Sequence, residues 1–171
     1  MNAQEILSNA QALAPELTAW RHALHRIPEP GFQEFKTQAY ICRALEEMAI
    51  PYTCERTWVV GMIQGARPGR CVALRADMDG LPIQEETGVA FASVHPGYMH
   101  ACGHDTHVTM LLGAARLLKG MQGELQGCVK LFFQPAEMCI RDRSGGVPGM
   151  GVSRSRLPAS MRGSERKSPS V

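Results

Sequence analysis

No apolar stretch in this 171-residue chain approaches the roughly 20 residues needed to cross a bilayer, so a membrane-spanning reading is set aside. A basic N-terminal segment leading into an apolar run is missing too, and with it any sign of a secretory leader. There is no Gly-rich phosphate loop of either standard spacing, no Gly-x-Ser-x-Gly elbow and no Cys-x-x-Cys pair. The usual signatures of nucleotide binding, of serine hydrolysis and of dithiol redox chemistry are therefore absent. The six cysteines, at 42, 54, 71, 102, 128 and 139, lack a framework of close spacings. Several lie in apolar runs, where a free thiol behaves as a small hydrophobe, and a reducing, cytoplasmic setting is expected. A net charge of +2 names no partner; neither a nucleic acid nor a membrane is expected. It hides an asymmetry, though. Residues 138–171 carry seven Lys and Arg against two Asp and Glu, whereas residues 1–137 carry eleven against fourteen.

What is present is a dense group of metal-binding side chains. Met99-His100-Ala101-Cys102-Gly103-His104-Asp105-Thr106-His107 holds three His, one Cys and one Asp in nine residues. All of these bind borderline-soft divalent cations. Cys102 and His104 are separated by one Gly, and a tight Gly turn lets both converge on one ion. The alternative is a polar loop with a buried Cys and surface histidines, and the density of ligands favours metal.

The rest of the chain reads as an α/β protein with 44% hydrophobic and 20% charged residues, enough apolar content for a core. Ile6, Ala10, Leu13, Leu17, Trp20 and Leu24 form one helical stripe, broken near residues 12–16 by Pro15. Asn2 and Glu5 have capping-box spacing at its start. A second helix is predicted over residues 34–48, with Phe35, Ala39, Cys42 and Leu45 on one side. Residues 53–64 predict two short strands around Val59-Val60-Gly61. Residues 70–76 predict a strand covered on both faces. Residues 84–98 read as loop, Val108 to Leu118 as a helix behind the ligand cluster, and residues 128–133 as another strand.

Carboxylates stand at two strand ends, Asp77 and Asp79 at one and Glu137 at the other, which is where open α/β sheets bind ligands. Metal-assisted hydrolysis needs ligands, a water and a carboxylate to take its proton. Cys102 and His104 are the candidate ligands and Glu137 the candidate base. Asp79 is a candidate to orient a ligand histidine, or simply a turn former before Gly80. Asp77, Asp105 and His107 are candidate supports around the ligands; Asp105 and His107 read equally well as N-cap and first-turn residues. His100 is ambiguous. A Cys102 nucleophile paired with His104 or His107 is disfavoured, because nucleophile and base normally come from distant segments.

Six ordered motifs then resemble a known family. They are Arg21-His22-Ala23-Leu24-His25, Pro28-Glu29-Pro30-Gly31-Phe32, Arg75-Ala76-Asp77-Met78-Asp79-Gly80-Leu81-Pro82, the run 99–107, Leu112-Gly113-Ala114-Ala115 and Gln134-Pro135-Ala136-Glu137. Together they resemble the metal-dependent amidohydrolases of the zinc-peptidase superfamily, typified by hippurate hydrolase, N-acyl-amino-acid amidohydrolases and plant auxin-conjugate hydrolases. The resemblance implies a zinc-peptidase-like mixed sheet flanked by helices, two divalent ions (Zn or Mn) per intact subunit, and cleavage of an N-acyl amino acid. It implies Cys102 as bridging ligand, His104 as terminal ligand, Glu137 as general base and Asp79 as support for the metal site. Arg21, His25 and Glu29 would belong to a structural N-terminal motif.

The departures shape the expectation. Met138 stands where the family has a metal-binding Glu, and a neutral thioether does not replace a carboxylate on such a cation. The family's further ligand histidines lie downstream, yet no His follows His107, and its dimerisation domain, which makes the intact enzyme an oligomer, is absent. The run 138–143 resembles translated sequencing adapter. We expect residues 1–137 to be the N-terminal part of a catalytic domain and residues 138–171 an irregular, disordered or non-native tail on a truncated, inactive fragment. The rival expectations are a non-catalytic metal-binding module, a metallopeptidase acting on short peptides, and a Cys-dependent hydrolase.

Overall fold

The structure, a computed structural model, describes residues 2–137. The expected tail, with Met138, lies outside the described residues. Local signals explain the first two elements. Asn2 caps α1 (Ala3–Ala12): its side chain accepts from the Glu5 amide while Glu5 reaches back to the Asn2 amide, both at 2.9 Å. Pro15 sits in the first turn of α2 (Ala14–His25), where its missing N–H costs nothing, so the chain breaks and restarts at Leu13. The stripe is buried only at Trp20 and Leu24; α1 buries no residue, and Ile6 is exposed.

α3 (Phe35–Glu47) presents a different face from the one expected. Thr37, Ile41, Ala44 and Leu45 are buried at helical spacing, whereas Phe35 is 59% exposed. β1 (Tyr52–Glu55) and β2 (Trp58–Gln64) form a hairpin whose reversal falls at Arg56, with φ of 54°, ahead of the Val59-Val60-Gly61 run. β3 (Arg67–Asp77), α4 (His104–Gly120), a short 3-10 turn (Gln122–Glu124) and β4 (Gln126–Gln134) follow. The sheet order is β1-β2-β4-β3; β3 runs parallel to β4, and the other pairs are antiparallel. A parallel pair needs a crossover, and α4 supplies it.

The core lies between one sheet face and the helices. Val59 and Ile63 of β2, and Leu131 and Phe133 of β4, alternate inward against Leu24, Ile41, Leu45, Val108 and Leu112. Two expectations fail here. β3 is an edge strand, not one covered on both faces: its burial is confined to Ala76 and Asp77 at the C-terminal end, and Val72 is 55% exposed. An apolar run by itself does not say how far the helices reach. Second, Cys71 and Cys128 form a disulfide instead of remaining free hydrophobes. They lie 57 residues apart but are direct partners in the β3 and β4 register, with Cα atoms 4.5 Å apart, a relation no sequence spacing shows. Cys42, Cys54 and Cys102 are free. Among the described residues no helix is long and apolar enough to cross a membrane.

Candidate metal centre

The parallel pair delivers two carboxylates to one end of the sheet, and the crossover helix delivers a histidine between them. β3 ends at Asp77, with Asp79 two residues beyond. β4 ends at Gln134, with Glu137 three residues beyond. α4 begins at His104, and its N-cap Gly103 has φ of 77°. A Cβ on Gly103 would meet nothing within 4 Å, so the left-handed backbone, not space, calls for glycine there.

His104 is 2% exposed. Its Nδ1 lies 3.0 Å from Asp79 Oδ1 and 2.9 Å from the Asp79 carbonyl oxygen. Its Nε2 lies 3.0 Å from Glu137 Oε2. The circuit closes through the backbone, since the Glu137 N–H donates to Asp79 Oδ1 at 3.2 Å. The hydrogen bond that His104 donates to the Asp79 carboxylate pushes the His104 pKa up to about 9, against the opposing effect of burial. Burial works to raise the Asp79 pKa, but bonds from His104 and the Glu137 amide, with the histidine's charge, bring it below its ordinary value. Asp79 is sealed, whereas the Glu137 side chain is 42% exposed and borders a cavity of about 550 Å³. Leu74, Arg75, Asp77, His107, Met110, Leu111 and Ala114 complete its lining.

The other sequence candidates take varied places. Asp77 faces the cavity in an ion pair with Arg75, Nη2 to Oδ1 2.6 Å. His107 shares the cavity wall, its ring centroid 5.3 Å from that of His104. Cys102 is exposed in the turn before α4. Asp105 turns away from His104: its Oδ2 accepts from Arg21 Nε at 2.9 Å and lies 2.7 Å from His25 Nδ1. His100 is buried, and burial drives its pKa down to about 4, so it stays neutral at pH 7. Sequence reasoning missed Glu85, whose Oε1 lies 3.2 Å from His25 Nε2, because a Glu inside a loop carries no pattern of its own. It also missed Glu34, fully buried and bonded to the Ala136 amide.

The donor chemistry suits a cation in part. A ligating imidazole ordinarily has its second nitrogen held by a carboxylate or carbonyl, and His104 has both on Nδ1. Yet no group of three or more His, Cys, Asp or Glu side chains able to hold an ion occurs among the described residues.

The family model for Peptidase family M20/M25/M40 matches residues 73–152, a span that takes in Asp77, Asp79, the ligand cluster and Glu137. The N-acetyl-L-cysteine deacetylase of Bacillus subtilis (strain 168) is 48% identical over 131 residues, 75% of this chain and 32% of that protein. The N-acyl-L-amino acid amidohydrolase of Geobacillus stearothermophilus is 42% identical over 142 residues, 80% of this chain and 38% of that protein. These matches bear out the family resemblance: the chain carries a peptidase family M20/M25/M40 segment.

The crystal structure of the Bacillus subtilis YXEP protein, described as a dinuclear metal binding peptidase from the M20 family, superposes with a TM-score of 0.72 at 44% identity. It is covered to 36% of its length by 75% of this chain. The mixed sheet flanked by helices is thus the M20 arrangement. The chain spans about a third of the length of the curated relatives it matches.

Proposed function

We propose that this chain carries the N-terminal part of a metal-dependent amidohydrolase that cleaves the amide bond of small N-acyl amino acids. The observation that carries the reading is His104 held between Asp79 and Glu137 at 3.0 Å on each side, at the sheet end where two strands and a crossover helix converge. Cys102 and His104 are the residues that would hold a divalent ion, Zn or Mn. When bound, such an ion lowers the pKa of a water and polarises the amide carbonyl. Glu137, exposed enough to meet solvent and substrate, takes the proton from the attacking water and returns it to the leaving amine. Asp79 fixes the orientation of the His104 ring and would keep the proton on Nδ1 when an ion takes the other nitrogen. Asp77 and His107 border the space the substrate would enter, and Asp105 secures the first turn of α4. The products are a carboxylate and a free amino acid.

Relatives named for N-acetyl-cysteine, N-acetyldiaminopimelate and N-acyl amino acids support a small acyl group over the benzoyl group of hippurate. The family's substrates are small molecules, so neither nucleic acid nor membrane enters the proposal, and a cytoplasmic, homo-oligomeric intact enzyme accords with it. We assign residues 1–137 to the catalytic domain. With two metal-binding side chains in hand, the 171-residue chain alone is expected to be inert.

The test has two arms. The purified chain titrated with Co²⁺ should show a thiolate-to-metal absorption band that Cys102→Ser and His104→Ala both abolish. A full-length protein containing this segment should hydrolyse an N-acetyl amino acid, stop on chelation, and lose at least about 100-fold in kcat in Glu137→Gln. A full-length protein indifferent to chelators and killed by thiol alkylation would overturn the reading in favour of Cys102 chemistry. The absence of a third ligand among the described residues favours one second reading, a module that binds metal without catalysis. Metal binding with no hydrolysis by the full-length protein would select it.

A further inference from the structure

Glu34 is a carboxylate side chain with no solvent exposure, set apart from the groups that touch His104. It caps α3, yet makes no side-chain bond to that helix. Its Oε1 instead accepts the N–H of Ala136 at 3.0 Å, across 102 residues of sequence. Ala136 has φ of 55°, the left-handed region that a residue with a Cβ avoids without outside support. Immediately after it comes Glu137, whose side chain reaches His104. The turn is therefore pinned by two carboxylates on successive amides, Glu34 on Ala136 and Asp79 on Glu137.

The loop between α2 and α3 meets this end of the sheet at two more points. Gly31 lies so near Ala136 that a Cβ there would come within 2.8 Å of the alanine methyl. The Glu29 carbonyl accepts the Gly80 N–H at 2.7 Å, next to Asp79. One loop thus touches the turns carrying both carboxylates that flank His104. The Glu29 carboxylate is itself occupied by the Lys36 and Thr37 amides of α3, so the loop is tied to the helix it precedes.

We propose that Glu34 is a positioning residue for Glu137: by taking the Ala136 N–H, its carboxylate fixes the left-handed turn from which Glu137 faces His104. The placement rests on the geometry alone; its value to catalysis rests on the reading of Glu137 as the base.

The test uses the 171-residue chain, isotopically labelled and free of metal and substrate, so that it stands apart from any result on amide hydrolysis. Wild type should show scalar coupling across the hydrogen bond between the Ala136 amide nitrogen and the Glu34 carboxyl carbon. Glu34→Gln keeps an acceptor of the same size and should keep both the Ala136 amide protection and the His104 ring signals. Glu34→Met keeps the volume but has no such acceptor. In it, Ala136 amide exchange should quicken about tenfold or more, and the His104 Nε2 signal should move toward its position in Glu137→Ala, while the amides of α3 stay protected. Unchanged Ala136 exchange and His104 signals in a folded Glu34→Met chain would overturn the inference, as would equal disturbance by Gln and Met. Should Glu34→Met fail to fold, the wild-type coupling decides: its presence with retention in Glu34→Gln supports the inference, and its absence ends it.

Discussion

Two imidazoles in this protein each sit between two carboxylates, back to back around the first turn of α4. His104 lies 3.0 Å from Asp79 and 3.0 Å from Glu137. His25 lies 2.7 Å from Asp105 and 3.2 Å from Glu85. The consecutive residues His104 and Asp105 belong to opposite sets, so one helix terminus serves both. The difference is access. On the His25 side, the Asp105 and Glu85 side chains are 0% and 3% exposed, Arg21 joins the Asp105 carboxylate, and Phe91 covers the histidine edge-on. On the His104 side, Glu137 is 42% exposed and opens on a cavity. A sealed set of charges can hold elements together but cannot exchange protons with a substrate. An open one can do both. The same three-group pattern thus supplies a brace on one side and a candidate reaction centre on the other.

The largest expected effect separates the two by their foundations. Asp79 and Glu137 hang from the ends of β3 and β4, which the Cys71 to Cys128 disulfide joins, whereas His25 and Glu85 lie on a helix and a loop. Releasing a 57-residue closure should lower stability by about 4 kcal/mol in the chain-entropy picture. Urea unfolding of Cys71→Ser with Cys128→Ser should show that loss, and nuclear magnetic resonance should find the His104 signals displaced more than those of His25. Equal displacement would erase the distinction. Next, Asp105→Ala leaves His25 and Arg21 without their shared buried acceptor, and should cost about 3 kcal/mol in the same unfolding assay.

A smaller effect follows pH. The His104 pKa is raised from 6.5 to about 9, so the native state holds that proton more tightly than the unfolded chain. The stabilisation is complete below about pH 6.5 and is lost as pH rises through about 9. Melting of the metal-free chain across that window should therefore show a fall of order 2 kcal/mol, absent in His104→Ala. Smallest of all, Glu137→Gln removes a half-exposed partner and should change stability by less than about 1 kcal/mol. A cost for Glu137→Gln matching that of Asp105→Ala would mean that both sets are braces.

Where signals were local, the chain announced its structure. The Asn2 and Glu5 box, the interruption at Pro15 and the apolar run that becomes β4 act over three or four residues, within reach of a pattern. Faces were harder. Phe35 heads an apolar spacing yet points to solvent, because Ile41 and Leu45 meet the core and turn the helix their way. The run in β3 looked buried because a composition cannot say that the strand lies at an edge. At the candidate site, residue types and motifs picked out Cys102, His104, Asp79 and Glu137. Neither Glu34 nor Glu85 stood out, since their partners lie 102 and 60 residues away.

The amino-acid sequence by itself determined the kinds of element, their order, the family resemblance and the candidate metal-binding side chains, since all of these are written in residue types and short spacings. Only the tertiary structure decided which carboxylate meets which imidazole, which pair is sealed and which is open, and that Cys71 faces Cys128. Those outcomes follow from strand register and helix placement, where contacts across tens of residues fix angstrom-scale distances that no local preference controls.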